Sequence, residues 1–213
     1  MMTAYDKVYL EKARISLGRM LDFAVYDLKY SLEVFFDLFI SSGVAGLFGE
    51  GDFSVIAGMS GVELAYEVLE RSKIEYQRIK PLYTSSRSEE YWLGWALSYY
   101  QWQSGLPFAE IVRYVPIADI LALYSPYHEM DIRHFADKMT ELCRAAEPDT
   151  KLKLMRKKAN LSQSQLAAMS GVPLRTIQQY EQRQKNINKA QAEYVVMLSR
   201  VLCCEVEDIL EKI

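Results

Sequence analysis

Leu161-Ser162-Gln163-Ser164-Gln165-Leu166-Ala167-Ala168-Met169-Ser170-Gly171-Val172-Pro173-Leu174-Arg175-Thr176-Ile177-Gln178-Gln179-Tyr180-Glu181 is the stretch whose reading decides the fold of the C-terminal part of the chain. Ser162 with Gln165 three residues later has the spacing of a capping box, in which each side chain bonds the other's backbone N–H. It predicts a helix from Gln163 to Met169. Gly171 in Ser170-Gly171-Val172 can take a positive φ at no Cβ cost, so a tight turn follows. Pro173 suits the start of the next helix, where a missing N–H loses nothing. That helix is expected from Leu174 to about Arg183, with Ile177 and Tyr180 inward and Arg175, Gln178, Gln179 and Gln182 outward.

Outward from this pair, Leu152, Met155 and Ala159 predict a preceding helix with Lys153, Arg156, Lys157 and Lys158 around it. A fourth helix, Lys189 to Leu202, would pack Tyr194, Val195, Leu198 and Val201, and a fifth, Val206 to Lys212, would add Ile209 and Leu210. The module begins after Ala145-Ala146-Glu147-Pro148-Asp149-Thr150. Pro148 disfavours helix at the residue before it, and Asp149 or Thr150 can cap a new one. The expected domains are therefore 1–147 and 148–213.

The motif Leu161-Ser162-Gln163, Gln165-Leu166-Ala167, Ser170-Gly171-Val172, Thr176-Ile177 and Tyr180-Glu181 closely resembles the Cro/C1-type (XRE) helix-turn-helix domain. Ile187-Asn188-Lys189-Ala190 and Cys204-Glu205-Val206-Glu207-Asp208-Ile209-Leu210 are similar to the same family. The resemblance implies a five-helix, lambda-repressor-like domain whose third helix lies in the major groove of duplex DNA. It places Leu174, Arg175, Thr176, Gln178 and Gln179 at base edges, and Gln163, Gln182, Lys185 and Asn186 at phosphates. Arg175 could bond guanine O6 and N7 together, and Gln179 adenine N6 and N7. Arg156 and Glu181 match a pair that bridges the first and third helices, read as a structural ion pair. The sequence departs from the family where Arg183 and Cys203 replace glycines, which predicts a third helix running past its usual stop.

Charge follows the same division. From Lys151 onward there are 11 Lys+Arg and 6 Asp+Glu, a net of +5; residues 1–150 carry 14 and 22, a net of −8. A basic module on an acidic body is what duplex DNA and a separate partner would select. Half of the 213 residues are apolar, enough to bury a core. The three cysteines, Cys143, Cys203 and Cys204, are odd in number with two adjacent, which speaks for reduced thiols and a cytoplasmic protein. No basic start precedes an apolar run at the N-terminus, and no apolar run approaches the length of a membrane span.

Residues 1–147 also read as helical, so the fold class is all-α. Helices are expected over Tyr5–Tyr26, Leu32–Ile40, from Gly61 behind the capping box Ser60–Glu63, and behind Ser86–Glu89. Shorter ones are expected over Phe108–Tyr114 and Ile117–Tyr124, with a long one after Ser125-Pro126. Ser41–Gly58, with Gly43, Gly46, Gly49, Gly51 and Gly58, reads as a loop or mobile segment. Catalytic chemistry finds no support. Gly58-Met59-Ser60-Gly61-Val62 misses the last glycine of a nucleophile elbow, and no phosphate loop is spelled. His128, Glu129, Asp131 and His134 lack a zinc spacing, Glu129 and Asp131 suiting a helix start instead. No cofactor, metal or enzymatic activity is expected.

Trp92, Trp95, Tyr99 and Trp102 fall at i, i+3, i+7 and i+10, one stripe of a helix. Core packing is the ordinary account of such a stripe; the sharper one is a ligand pocket or partner face, since aromatics dominate interface hot spots. Phe39-Ile40-Ser41-Ser42-Gly43 and Ala57-Gly58-Met59-Ser60-Gly61-Val62-Glu63-Leu64-Ala65 look like an uncharacterised helical domain that precedes helix-turn-helix modules in bacterial antitoxins or local regulators. The expectation is a dimeric, sequence-specific regulator of nearby genes, a repressor or autoregulator. Its N-terminal domain would bind a second copy or a protein partner such as a toxin. The alternative is a regulator whose aromatic helix lines a small-molecule pocket.

Overall fold

The computed structural model describes residues 3–82 and 86–211. The described residues form helices and no strands. They divide into two compact units, Met1–Glu147 and Pro148–Ile213.

In the first unit, Ala13, Leu17, Met20, Leu21 and Ala24 recur at helical spacing and are fully buried in α1 (Leu10–Tyr26). A single 3-10 turn, Lys7–Tyr9, capped by Asp6, precedes it where a continuous helix from Tyr5 was expected. α2 (Leu32–Ser41) starts at Ser31, whose hydroxyl accepts from the N–H of Val34, and buries Phe35, Phe36 and Phe39.

The glycine-rich stretch is helical, which corrects its reading as a loop. Gly43 (φ +81°) and Gly51 (φ +80°) bracket α3 (Val44–Glu50), supplying the left-handed turns at its ends. Phe48 of α3 meets Phe39 and Phe108 edge to face, which anchors the helix in the core. α4 (Phe53–Ile56) is capped by Asp52. α5 (Gly61–Arg71) opens on the expected capping box: Ser60 accepts from Glu63 N and Glu63 accepts from Ser60 N.

α6 (Glu89–Ser104) starts at Ser88, not at Ser86. Ser88 Oγ accepts from Tyr91 N at 3.0 Å and donates to Asp22 of α1 at 2.7 Å, so a tertiary contact selects the second serine as the cap. α1 packs on α6 backbone to backbone: a Cβ on Gly94 would lie 2.6 Å from Leu17 O and 2.8 Å from Gly18 Cα.

α7 (Phe108–Tyr114) matches its expected bounds. The segment expected as Ile117–Tyr124 is divided into α8 (Ile117–Leu121) and α9 (Tyr124–Tyr127), and Ser125-Pro126 lie inside α9. The long helix, α10 (Ile132–Ala146), starts after Asp131, whose carboxylate accepts from Arg133 N at 2.9 Å. That cap, together with the Arg133 guanidinium on the same carboxylate, holds Asp131 down to a pKa of about 2. Phe135, Ala136, Met139 and Cys143 of α10 are buried.

Among the described residues no single helix is long and apolar enough to cross a membrane. The apolar pair α2 and α3 bends by 73° and buries its phenylalanines in the unit's own core.

The second unit contains α11 (Lys151–Lys158), α12 (Gln163–Ser170), α13 (Leu174–Glu181) and α14 (Ala192–Leu202). Leu152, Leu166, Val172, Ile177, Leu198 and Ile209 form its core. Thr150 caps α11 by accepting from Lys153 N. The expected fourth helix is divided: Ile187–Lys189 is a 3-10 turn capped by Asn186, and α14 begins only at Ala192. The fifth is a single 3-10 turn, Val206–Asp208, that seats Ile209; Lys212, its expected end, lies outside the described residues. Asn188 holds this tail through its amide, donating to Glu211 O and accepting from Glu211 N, both at 2.9 Å.

Candidate nucleic-acid interface

The local chemistry of the helical pair α12 and α13 sets its geometry. Ser162 Oγ accepts from Gln165 N at 3.1 Å and Gln165 Oε1 accepts from Ser162 N at 2.8 Å, which closes the capping box of α12. Gly171 ends α12 at φ +72°. Ser170 Oγ donates to Leu166 O and accepts from Val172 N, tying the turn to the preceding helix. Pro173 then caps α13 with an extended backbone.

α13 is pinned by its inner face. Ile177 and Tyr180 are in the core, and Glu181 is buried beside them. Glu181 Oε1 accepts from Arg156 Nε at 2.6 Å and Oε2 from Arg156 Nη2 at 2.8 Å, a two-pronged pair between α11 and α13. The carboxylate raises the Arg156 pKa above the usual guanidinium value. Arg156 Nη1 also donates to Leu161 O at 2.7 Å. Gln163 Nε2 adds a third donor to Glu181, at 2.7 Å, so the start of α12 is tied to the same carboxylate. This third contact was not read from the sequence. Gln163 stands 18 residues before Glu181, and no local spacing announces the pair.

The outer face of α13 carries Leu174, Arg175, Thr176, Gln178 and Gln179, exposed or half-exposed. Among the described residues the side chains of Arg175, Thr176, Gln178 and Gln179 have no hydrogen-bond partner. Their donors and acceptors all point away from an inner face that is fully engaged.

The segment after α13 corrects one expectation. The helix does not run on; it ends at Glu181, and Arg183 takes φ +53°. An arginine thus occupies the left-handed position that a glycine would fill without strain. Its Nη1 donates to Pro148 O at 3.0 Å. Cys203, at φ +51°, ends α14 in the same way. Gln182, Lys185 and Asn186 are exposed in this segment. Gln182 accepts from Gln184, and the Asn186 carbonyl accepts from Asn188 N, which leaves the Asn186 NH2 outward. On α11, Lys153 and Lys157 both reach Asp149 at 2.6 Å and hold its pKa down to about 2. Arg175 and Lys185 form no ion pair among the described residues.

Two short helices across a glycine turn, the second exposing an unengaged polar face, make a helix-turn-helix. Residues 152–202 match the Helix-turn-helix family model, of the Cro/C1 type. The helix-turn-helix module is therefore of the kind that transcriptional regulators use to bind DNA. No curated protein and no solved structure matches the chain.

The aromatic stripe of the first unit separates into two parts. All four residues are half-buried, while Leu93, Ala96, Leu97 and Tyr100 take the core face of α6. Trp102 Nε1 donates to Tyr5 O at 2.8 Å, and Tyr99 leans on Trp102. Trp92 and Trp95 instead line a cleft of about 280 Å³ with Arg87, Tyr91, Tyr124 and His128. His128, which lacks a zinc-ligand spacing, instead stacks its ring on Tyr124 with centroids 4.4 Å apart.

Proposed function

We propose that the protein is a sequence-specific transcriptional regulator that reads duplex DNA with the outer face of α13. One observation carries the reading: four polar side chains, Arg175, Thr176, Gln178 and Gln179, stand unpartnered on a helix whose opposite face is locked by Glu181, Arg156 and Gln163. Preorganised, unengaged donors and acceptors on a rigid helix are what major-groove readout requires. Arg175 would recognise guanine, Gln179 adenine, and Leu174 or the Thr176 methyl a thymine methyl. Gln182, Lys185 and Asn186, together with the one amide N–H that Gln163 does not give to Glu181, would hold phosphates, fixing register without reading sequence.

The protein acts as a homodimer inside the cell, each module taking one half-site about 34–36 Å from the next. It represses its own operon. The acidic N-terminal unit suits a basic protein partner, as in an antitoxin that docks its toxin there. The test is fluorescence anisotropy with the duplex upstream of the gene, against an unrelated duplex of equal length. Preference for the upstream duplex by about 10³ supports autoregulation. Equal affinity for the two removes it. Co-purification with the neighbouring gene product tests the antitoxin role, which a clean separation of the two proteins contradicts.

A second reading is favoured by one observation, the cleft lined by Trp92 and Trp95. In that reading the N-terminal unit responds to a small molecule.

A further inference from the structure

The cleft is built on the face of α6 that the core does not use. Ser88, Tyr91, Trp92 and Trp95 follow helical spacing along its first two turns, and Tyr124 and His128 complete the lining. Four of the rings are held by neighbours. Trp92 meets Phe135 edge to face at 5.3 Å and Tyr124 at 5.4 Å. Trp95 is backed by the Arg14 guanidinium, 3.4 Å from the ring centroid, and Arg14 is anchored by Glu11 at 3.2 Å. His128 is parallel to Tyr124, and its Nδ1 lies 3.0 Å from Tyr124 O. The walls therefore need little ordering when a ligand enters, and preformed aromatic walls around a few polar groups are the common form of a small-molecule site.

The charges choose the ligand. An aromatic box can hold a cation over its π faces, but one of these rings already carries one at the mouth: Arg87 lies 4.6 Å from the Tyr91 centroid. Among the described residues no carboxylate lines the cleft. Asp22, which accepts from Ser88, is also bonded by Arg19, and exposed Glu129 lies 3.7 Å from His128 Nε2. Arg87 is exposed at the mouth, with donors free to take an anion. Size sets the rest. A cavity of ~150 Å³ holds benzene, so about 280 Å³ admits two fused rings.

We propose that this cleft binds a planar aromatic carboxylate of one or two fused rings, lying against Trp92, Trp95 and Tyr124, with its carboxylate on Arg87. The inference rests on the small-molecule reading and is independent of DNA binding.

The chain has three tryptophans, which gives three indole N–H signals in a ¹⁵N-correlation spectrum. The full-length protein is titrated with 2-naphthoate and, separately, with neutral 2-naphthamide. The Trp92 and Trp95 signals shift with naphthoate, and that of Trp102, fixed on Tyr5 O, does not. Naphthoate binds at least about tenfold tighter than naphthamide, because a charge-assisted bond to arginine is at stake. Arg87→Gln, an exposed substitution that leaves the core untouched, abolishes that preference while retaining ring binding. Absence of shifts at millimolar naphthoate overturns the proposal, as do equal affinities for the two probes or an unchanged preference in Arg87→Gln. Operator binding without naphthoate binding removes the cleft ligand alone; naphthoate binding without DNA binding removes the DNA reading alone.

Discussion

Arg156 and Glu181, 25 residues apart on α11 and α13, form two nearly parallel hydrogen bonds of 2.6 and 2.8 Å with side chains 11% and 1% exposed. Such a pair is weak evidence of stability as a whole, because desolvation offsets its attraction. Breaking it from one side is different, since the remaining charge stays buried and unmatched. Glu181→Ala should destabilise the C-terminal unit by about 3–5 kcal/mol. Urea unfolding of that unit measures the loss. A cost under about 1 kcal/mol, the range of surface pairs, would show that the pair is solvated.

Cys203 and Arg183 both adopt left-handed backbone where a Cβ is strained. Cys203→Gly should stabilise the unit by about 1 kcal/mol, because it removes a cost of that order and loses only an exposed thiol. For a domain of this size that raises Tm by about 4–8 °C. Arg183→Gly gains less, since the bond to Pro148 O is lost with it. A lower Tm for Cys203→Gly would contradict the left-handed assignment.

Two glycines in the first unit predict opposite responses to the same substitution. Gly94→Ala drives a Cβ into the α1 backbone, 2.6 Å from Leu17 O, and neither helix can yield cheaply. It should cost about 1–3 kcal/mol or more. Gly46 has nothing within 4 Å of its built Cβ, so Gly46→Ala gains helix propensity of about 1 kcal/mol. Thermal melts of the two variants should move in opposite directions.

Asp149 titrates at about 2 because Lys153 and Lys157 both bond it. A carboxyl depressed in the folded state stabilises above its unfolded pKa of about 4. That contribution disappears as pH falls through the folded value. The window is therefore roughly pH 4 to 2, and nothing changes at neutral pH. An NMR titration of the Asp149 carboxyl should give a midpoint near 2, rising toward 4 in Lys153→Ala/Lys157→Ala protein. A midpoint near 4 in the unmodified protein would remove the contact.

The helix-turn-helix module was legible because its signals are local. The Ser162–Gln165 box, Gly171 and Pro173 each act within four residues. The same holds for Ser60–Glu63 at α5. Tertiary choices were not legible. Ser86 has Glu89 at capping-box spacing and Ser88 has only Tyr91, yet Ser88 is the cap and bonds Asp22, 66 residues earlier. The glycines of Ser41–Gly58 suggested a loop because composition does not distinguish glycine inside a loop from glycine at both ends of a buried helix. The stripe on α6 placed Trp92 and Trp95 together but could not supply Arg14 or Tyr124, which come from other helices. In the module, helical spacing identified the outward residues of α13, while the anchoring of Gln163 on Glu181 depends on the turn between the helices.

Base reading by α13 is open to direct test by selection from a random duplex library. Full-length protein and an Arg175→Ala/Gln179→Ala variant are each carried through selection, and the enriched duplexes are titrated by anisotropy over a salt series. The unmodified protein should enrich a site containing guanine and adenine. The variant should lose that preference, at a cost of about 1–3 kcal/mol per reading residue, and keep salt-dependent, sequence-independent binding through the phosphate contacts. An identical enriched site for both proteins, or no duplex binding at low salt, would contradict base reading by α13.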